Sequence, residues 1–227
     1  MGEMIRLTAD DGHTLDAYRA PAVGTRRGGV VVIQEVFGVN PHIREVCDGY
    51  AAAGYEAVAP SLFDRVQPGV VLDYDDDGVA KGRELAAAVG WDGPVKDVWA
   101  AATALAPDGR VGLVGYCWGG SWTWVAACRL KVGAAACYYG RHIVEFLDER
   151  PNCPVILHFG AEDHLIPLEN VETIRAAFPG IPIHVYAGAG HGFNCAARPS
   201  YRADAAAIAF QRTLDLFNEH VSPQSPD

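Results

Sequence analysis

Three side chains, Cys117, Asp163 and His191, have the types, order and settings that covalent catalysis needs. Cys117 is the centre of Gly115-Tyr116-Cys117-Trp118-Gly119. An apolar run, 111–114, enters this pentapeptide, and an alanine-rich, tryptophan-bearing stretch, 120–130, leaves it, so the setting reads as strand, tight turn, helix. The glycines permit a strained turn and a close approach of strand to helix, which lifts the central side chain clear of a sheet. That is a nucleophile elbow with cysteine in the place usual for serine. A thiol there attacks an electrophilic carbonyl once a neighbouring base holds or removes its proton.

An acid and then a histidine should follow in chain order. The run 154–160 (PVILHFG) reads as a buried strand, and Asp163 lies just past its end. The strand-like run 181–186 leads into Ala187-Gly188-Ala189-Gly190-His191-Gly192-Phe193. Both residues therefore fall on loops at strand C-terminal ends, the edge where open α/β sheets bind ligands. Glu162 is a rival acid beside Asp163. Of the eight histidines, His191 alone has glycine on both sides. Cys47, Cys128, Cys137 and Cys153 read as small structural hydrophobes.

The elements that must position these residues alternate between strand and helix. Segments 5–8 and 14–20 flank Asp10-Asp11-Gly12 as an N-terminal antiparallel hairpin. Buried strands follow at 29–34, 56–60, 111–115, 134–139, 155–160 and 181–186. Helical patterns occupy 41–53, with Pro41 suited to a first helical position, and 95–106. A closing amphipathic helix covers 201–220. The alternation predicts a mostly parallel, doubly wound sheet with helices on both faces. Segments 61–79 and 141–152 read as loops or short helices over the site, and the acidic cluster 73–77 as a solvated loop without the spaced ligands of a calcium site.

With 227 residues, half of them hydrophobic, and no linker-like stretch, one domain is expected. A net charge of -10 argues against nucleic-acid and anionic-membrane partners. The N-terminal residues lack the apolar core of a secretory signal, and no stretch is long enough to span a bilayer. Six cysteines without paired spacing suit a reducing cytoplasm. No phosphate-binding loop, dinucleotide fingerprint or zinc cluster is present, so neither cofactor nor metal is expected. The sequence leaves a monomer and a small homo-oligomer open.

Segments 34–40 (QEVFGVN), 115–120 (GYCWGG), 138–140 (YYG), 158–164 (HFGAEDH) and 190–193 (GHGF) together resemble the dienelactone hydrolase family of the α/β-hydrolase superfamily. The likeness runs from about Leu15 to Phe217. It implies an α/β-hydrolase fold and cleavage of a small lactone or carboxylic ester through a thioester on Cys117, with His191 as base and Asp163 orienting it. It also implies an oxyanion hole made by the backbone N–H groups of Trp118 and Val36. Glu35 is the unusual element, because a carboxylate beside a thiol opposes thiolate formation. The resemblance implies that Glu35 keeps the resting thiol neutral and accepts its proton once substrate has moved the acid.

Family members proper hold a substrate carboxylate with two arginines. Arg65 matches the first of these positions, but Cys195 stands at the second, with Arg141 and Arg198 as candidates to compensate. Phe37, Trp118, Trp122, Tyr138, Tyr139 and Phe193 are candidates for an aromatic pocket or for ordinary core. Two other readings remain open: a hydrolase of thioesters or phosphotriesters on the same triad, and a non-catalytic binding or redox-sensing protein.

Overall fold

The computed structural model describes residues 2–106 and 110–222. Eight strands form one sheet in the order β1-β2-β4-β3-β5-β6-β7-β8. β1 (Glu3–Thr8) and β2 (Thr14–Ala20) make the expected antiparallel hairpin, and β2 joins β4 (Tyr55–Pro60) antiparallel. β3 (Gly28–Ile33), β5 (Val111–Tyr116), β6 (Ala134–Tyr138), β7 (Val155–Gly160) and β8 (Ile183–Tyr186) continue it in parallel. Every residue of β3, β5, β6 and β7 is buried. That is why these runs are continuously apolar rather than alternating: both faces of a parallel sheet are covered.

The strand order reverses at β3. Right-handed crossovers therefore put α1 (Pro41–Ala52) on one face, and α3 (Gly93–Leu105), α4 (Trp118–Arg129) and α5 (Leu168–Ala177) on the other. The closing helix α6 (Ala203–His220) lies with α1, since Tyr50 packs on Phe210 and Phe217 at 5.1 and 6.0 Å. The reversal brings the C-terminal ends of β3 and β5 side by side, which is where Glu35 and Cys117 emerge.

Two helices depart from the sequence reading. α5 fills a stretch that had no assigned element, and α2 (Asp76–Val89) begins inside the acidic cluster read as a loop. The acids start the helix. The Asp75 carboxylate caps it by accepting from the Gly78 N–H at 2.7 Å, and Asp76 and Asp77 sit in the first turn, where a negative charge favours the helix dipole. Elsewhere segment 61–79 carries a short 3-10 turn at Leu62–Arg65, and segment 141–152 carries one at Arg141–Glu145.

Candidate active site

Cys117 stands between β5 and α4 with φ 56° and ψ -117°, a left-handed conformation that a side chain rarely adopts. The elbow's strain sits on the cysteine itself. The glycines around it provide room: a Cβ on Gly119 would lie 2.3 Å from the Ile33 carbonyl oxygen, and one on Gly115 would lie 2.1 Å from that of Gly119. The turn is held by the Cys117 N–H donating to the Tyr138 carbonyl at 3.1 Å and by the Cys117 carbonyl accepting from Gly120 at 3.0 Å.

The three residues expected to act together meet. His191 Nε2 lies 3.1 Å from Cys117 Sγ, and its Nδ1 lies 2.8 Å from Asp163 Oδ2. The other carboxylate oxygen of Asp163 accepts from the backbone N–H groups of Leu165 and Ile166 at 2.8 and 3.2 Å, which fixes its orientation. Burial works against a charge on His191. The Cys117 sulfur and then the Asp163 hydrogen bond outweigh it, and the imidazole is raised to about 10. Such an arrangement can hold an imidazolium beside a nucleophilic sulfur.

Trp118 is the first residue of α4, where the amide has no acceptor within the helix and points along the positive end of the dipole. Val36 follows β3 and lines the same cleft. Gly82 of α2 lets that helix press on this loop, since a Cβ there would lie 2.1 Å from the Val36 carbonyl oxygen.

Glu35 is fully buried beside the site. Its Oε2 accepts from the Tyr74 hydroxyl at 2.9 Å, and Arg198 Nη1 lies 3.7 Å from its Oε1. The Arg198 guanidinium in turn lies over the rings of Phe37 and Tyr74 at 5.9 and 5.7 Å. With Glu35 so engaged, the sulfur of Cys117 faces His191.

The cleft measures about 340 Å³, at the small end for ligand sites. It is lined by α2, through Val79, Arg83, Ala86 and Ala87, by Trp91, and by Arg141, His142 and Leu165, with Trp91 and His142 in ring contact at 5.7 Å. Of the substrate-contact candidates, Phe37, Arg141 and Arg198 line it together with Trp118, and five others, Arg65, Trp122, Tyr138, Tyr139 and Phe193, do not. Arg65 binds Asp97 through Nε and Nη2 at 2.7 Å each and Asp11 at 2.9 Å, so its charge serves the scaffold. Tyr138, Trp122 and Phe193 are fully buried core: Tyr138 shares a hydrogen bond with Thr213 at 2.8 Å, Trp122 packs on Trp91, and Phe193 packs on Tyr139 and Tyr186. Cys195 is buried behind the cleft against Tyr74.

Sequence reasoning missed Arg83, Trp91 and Tyr74. The N-cap signal at Asp75, followed by apolar residues at helical spacing, would have revealed α2 and with it Arg83. No helix among the described residues is long and apolar enough to cross a membrane.

A mostly parallel eight-stranded sheet wound on both faces, with a strained strand-to-helix turn carrying Cys117 after β5 and an acid and a histidine on the loops after β7 and β8, defines an α/β-hydrolase. Within that class the chain belongs to the dienelactone hydrolase family, whose model matches residues 15–221. The carboxymethylenebutenolidase of Pseudomonas putida is 34% identical over 224 residues, spanning 94% of this chain and 95% of the relative. A putative carboxymethylenebutenolidase of Escherichia coli is 35% identical, spanning 86% and 78%. The crystal structure of a putative dienelactone hydrolase from Klebsiella pneumoniae superposes with a TM-score of 0.82 at 30% identity, covering 96% of this chain and all of that one. A dienelactone hydrolase-like promiscuous phosphotriesterase from metagenomic libraries, 22% identical, shares the fold with a TM-score of 0.76, covering 98% and 99%. This chain is thus a dienelactone hydrolase-like hydrolase.

Proposed function

We propose that the protein hydrolyses a small lactone or carboxylic ester by acyl transfer through a thioester on Cys117. The observation that carries this reading is the single imidazole that meets Cys117 Sγ at 3.1 Å and Asp163 Oδ2 at 2.8 Å. Sulfur attacks the carbonyl carbon while His191 holds the proton that the thiol has given up. The tetrahedral oxyanion is met by the N–H groups of Trp118 and Val36. Collapse breaks the carbon–oxygen bond, and His191 returns its proton to the leaving alkoxide, which in a lactone stays attached to the acyl group. His191 then takes a proton from water, which attacks the thioester; breaking the carbon–sulfur bond releases the acid and restores the cysteine.

Asp163 fixes the imidazole tautomer and stabilises its cation throughout. Glu35 is assigned the control of the cysteine's charge. Turned towards the sulfur, its carboxylate opposes thiolate; held by Tyr74 and Arg198, it leaves sulfur to pair with His191.

The test is turnover of a panel of lactones, activated esters, a thioester and a phosphotriester by wild type and Cys117→Ala. Lactone or ester turnover that disappears with the thiol is the expected result. Turnover that survives in Cys117→Ala, or that is confined to the phosphotriester, overturns the proposal.

A further inference from the structure

Behind the cleft, two buried polar atoms face the same small space without a hydrogen-bond partner among the described residues: Oε1 of Glu35 and Nε2 of His42. Glu35 is fully buried and His42 is 7% exposed. A carboxylate oxygen of Glu35, a ring nitrogen of His42 and the sulfur of Cys195 all lie within 4.8 Å of one another. A buried polar atom that has lost its hydration is unstable alone, and a donor and an acceptor at this range are stabilised by pairing. A side-chain rotation or one bridging water would close a gap of this size.

His42 is set in place independently of Glu35. It stands in the first turn of α1, which Asn40 caps by accepting from the Ile43 N–H at 3.1 Å, and its ring meets the edge of Tyr116 at 6.4 Å. Burial lowers its pKa, with Glu35 the largest opposing cause, so the ring is neutral and offers one N–H. A carboxylate, an imidazole and a thiol would also suit a divalent cation of the zinc class. The Arg198 guanidinium, 3.7 Å from Glu35 Oε1, opposes a second positive charge there and favours the hydrogen-bonded arrangement.

We propose that His42 is a positioning residue for Glu35: donating from Nε2 to Oε1, directly or through one water, it keeps the carboxylate with Tyr74 and Arg198 and away from the Cys117 sulfur. The inference rests on the reading that Glu35 controls the charge of Cys117. It adds that the carboxylate is retained by three groups from three parts of the chain: Tyr74 ahead of α2, Arg198 ahead of α6, and His42 in α1. Removing His42 releases one oxygen, and the acid then spends more time against the thiol.

The experiment is the rate of iodoacetamide labelling, read by mass spectrometry on the Cys117 peptide, in wild type, His42→Phe, Glu35→Gln and the double variant. His42→Phe should slow labelling about tenfold, in line with the loss of one hydrogen bond to a charged group. In the Glu35→Gln background the same change should have no effect, because a neutral amide opposes no thiolate. His42→Gln, which keeps an N–H donor, should restore most of the rate. If His42→Phe does not fold, His42→Met replaces it in the same cycle, with folding checked by circular dichroism. Equal slowing in both backgrounds, or no slowing at all, overturns the role of His42. Unchanged labelling in Tyr74→Phe, which frees the other carboxylate oxygen, as well as in His42→Phe overturns the role of Glu35, whereas slowing in Tyr74→Phe alone overturns only that of His42, so the two failures are distinguishable.

Discussion

Arg65 and Asp97 form a two-pronged ion pair, Nε to Oδ2 and Nη2 to Oδ1 at 2.7 Å each, that ties the end of β4 to α3. The Asp97 side chain is fully buried, and the guanidinium also reaches Asp11 in the N-terminal hairpin at 2.9 Å. This arginine therefore holds scaffold together, where the family resemblance had implied substrate binding. Removing it strands a buried carboxylate, a change that costs about 3 kcal/mol. Arg65→Ala should lower the melting temperature by roughly 6 to 12 °C for a chain of this size. Michaelis constants for acidic and neutral esters should move together, if at all. A selective loss of acidic substrates with unchanged melting would restore the substrate role.

Asp163, and not its neighbour Glu162, contacts His191. Asp163→Asn keeps the shape but loses the charge and the preferred tautomer, and should lower kcat/KM by about three to four orders of magnitude. Glu162→Gln should stay within a few-fold of wild type. Steady-state kinetics on one activated ester separates the two outcomes.

The His191 proton offers a reading by pH. Its pKa is raised from 6.5 to about 10: burial opposes the charge, and the Cys117 sulfur and Asp163 outweigh it. A pKa raised on folding contributes stability that is complete below the unfolded value, near 6.5, and is lost as pH rises through about 10. Ring NMR should show His191 titrating in that upper range. Cys117→Ala removes the largest raising cause and should shift the titration downward. A wild-type midpoint near the ordinary histidine value would contradict the sulfur–imidazolium pair.

The proposed oxyanion donors are backbone groups and hard to delete, but Gly82 gives access to the loop that carries Val36. A methyl group there would meet the Val36 carbonyl at 2.1 Å, so Gly82→Ala must displace either α2 or the loop that carries the Val36 N–H. Misplacement on this scale costs up to about a hundredfold in rate. A lower kcat is expected, with Cys117 still available for alkylation. Unchanged kcat would remove Val36 from the oxyanion hole.

What the sequence disclosed follows from locality. The elbow, the choice of Asp163 and the setting of His191 are carried by short segments in which strand, turn and functional residue are contiguous, and the structure brings all three together. The sheet was legible because its parallel strands are buried on both faces and read as continuous apolar runs. What escaped depends on distant partners. The site of Arg65 is decided by Asp97 and Asp11, which are 32 and 54 residues away. Tyr74, in a run of exposed acids, turns inward to meet Glu35, which is 39 residues distant. Trp122, Tyr138 and Phe193 could not be divided between pocket and core by type alone, since aromatic rings serve both.

The proposed mechanism places the acyl group on Cys117. Mixing stoichiometric p-nitrophenyl acetate with enzyme and quenching within the first turnover should give a burst of one nitrophenolate per chain, with acetyl on the Cys117 peptide in the mass spectrum. Cys117→Ala should show neither, and Cys117→Ser only slow turnover of activated esters. A full burst in Cys117→Ala, or acetyl recovered on another residue with the Cys117 peptide unmodified, would contradict the account.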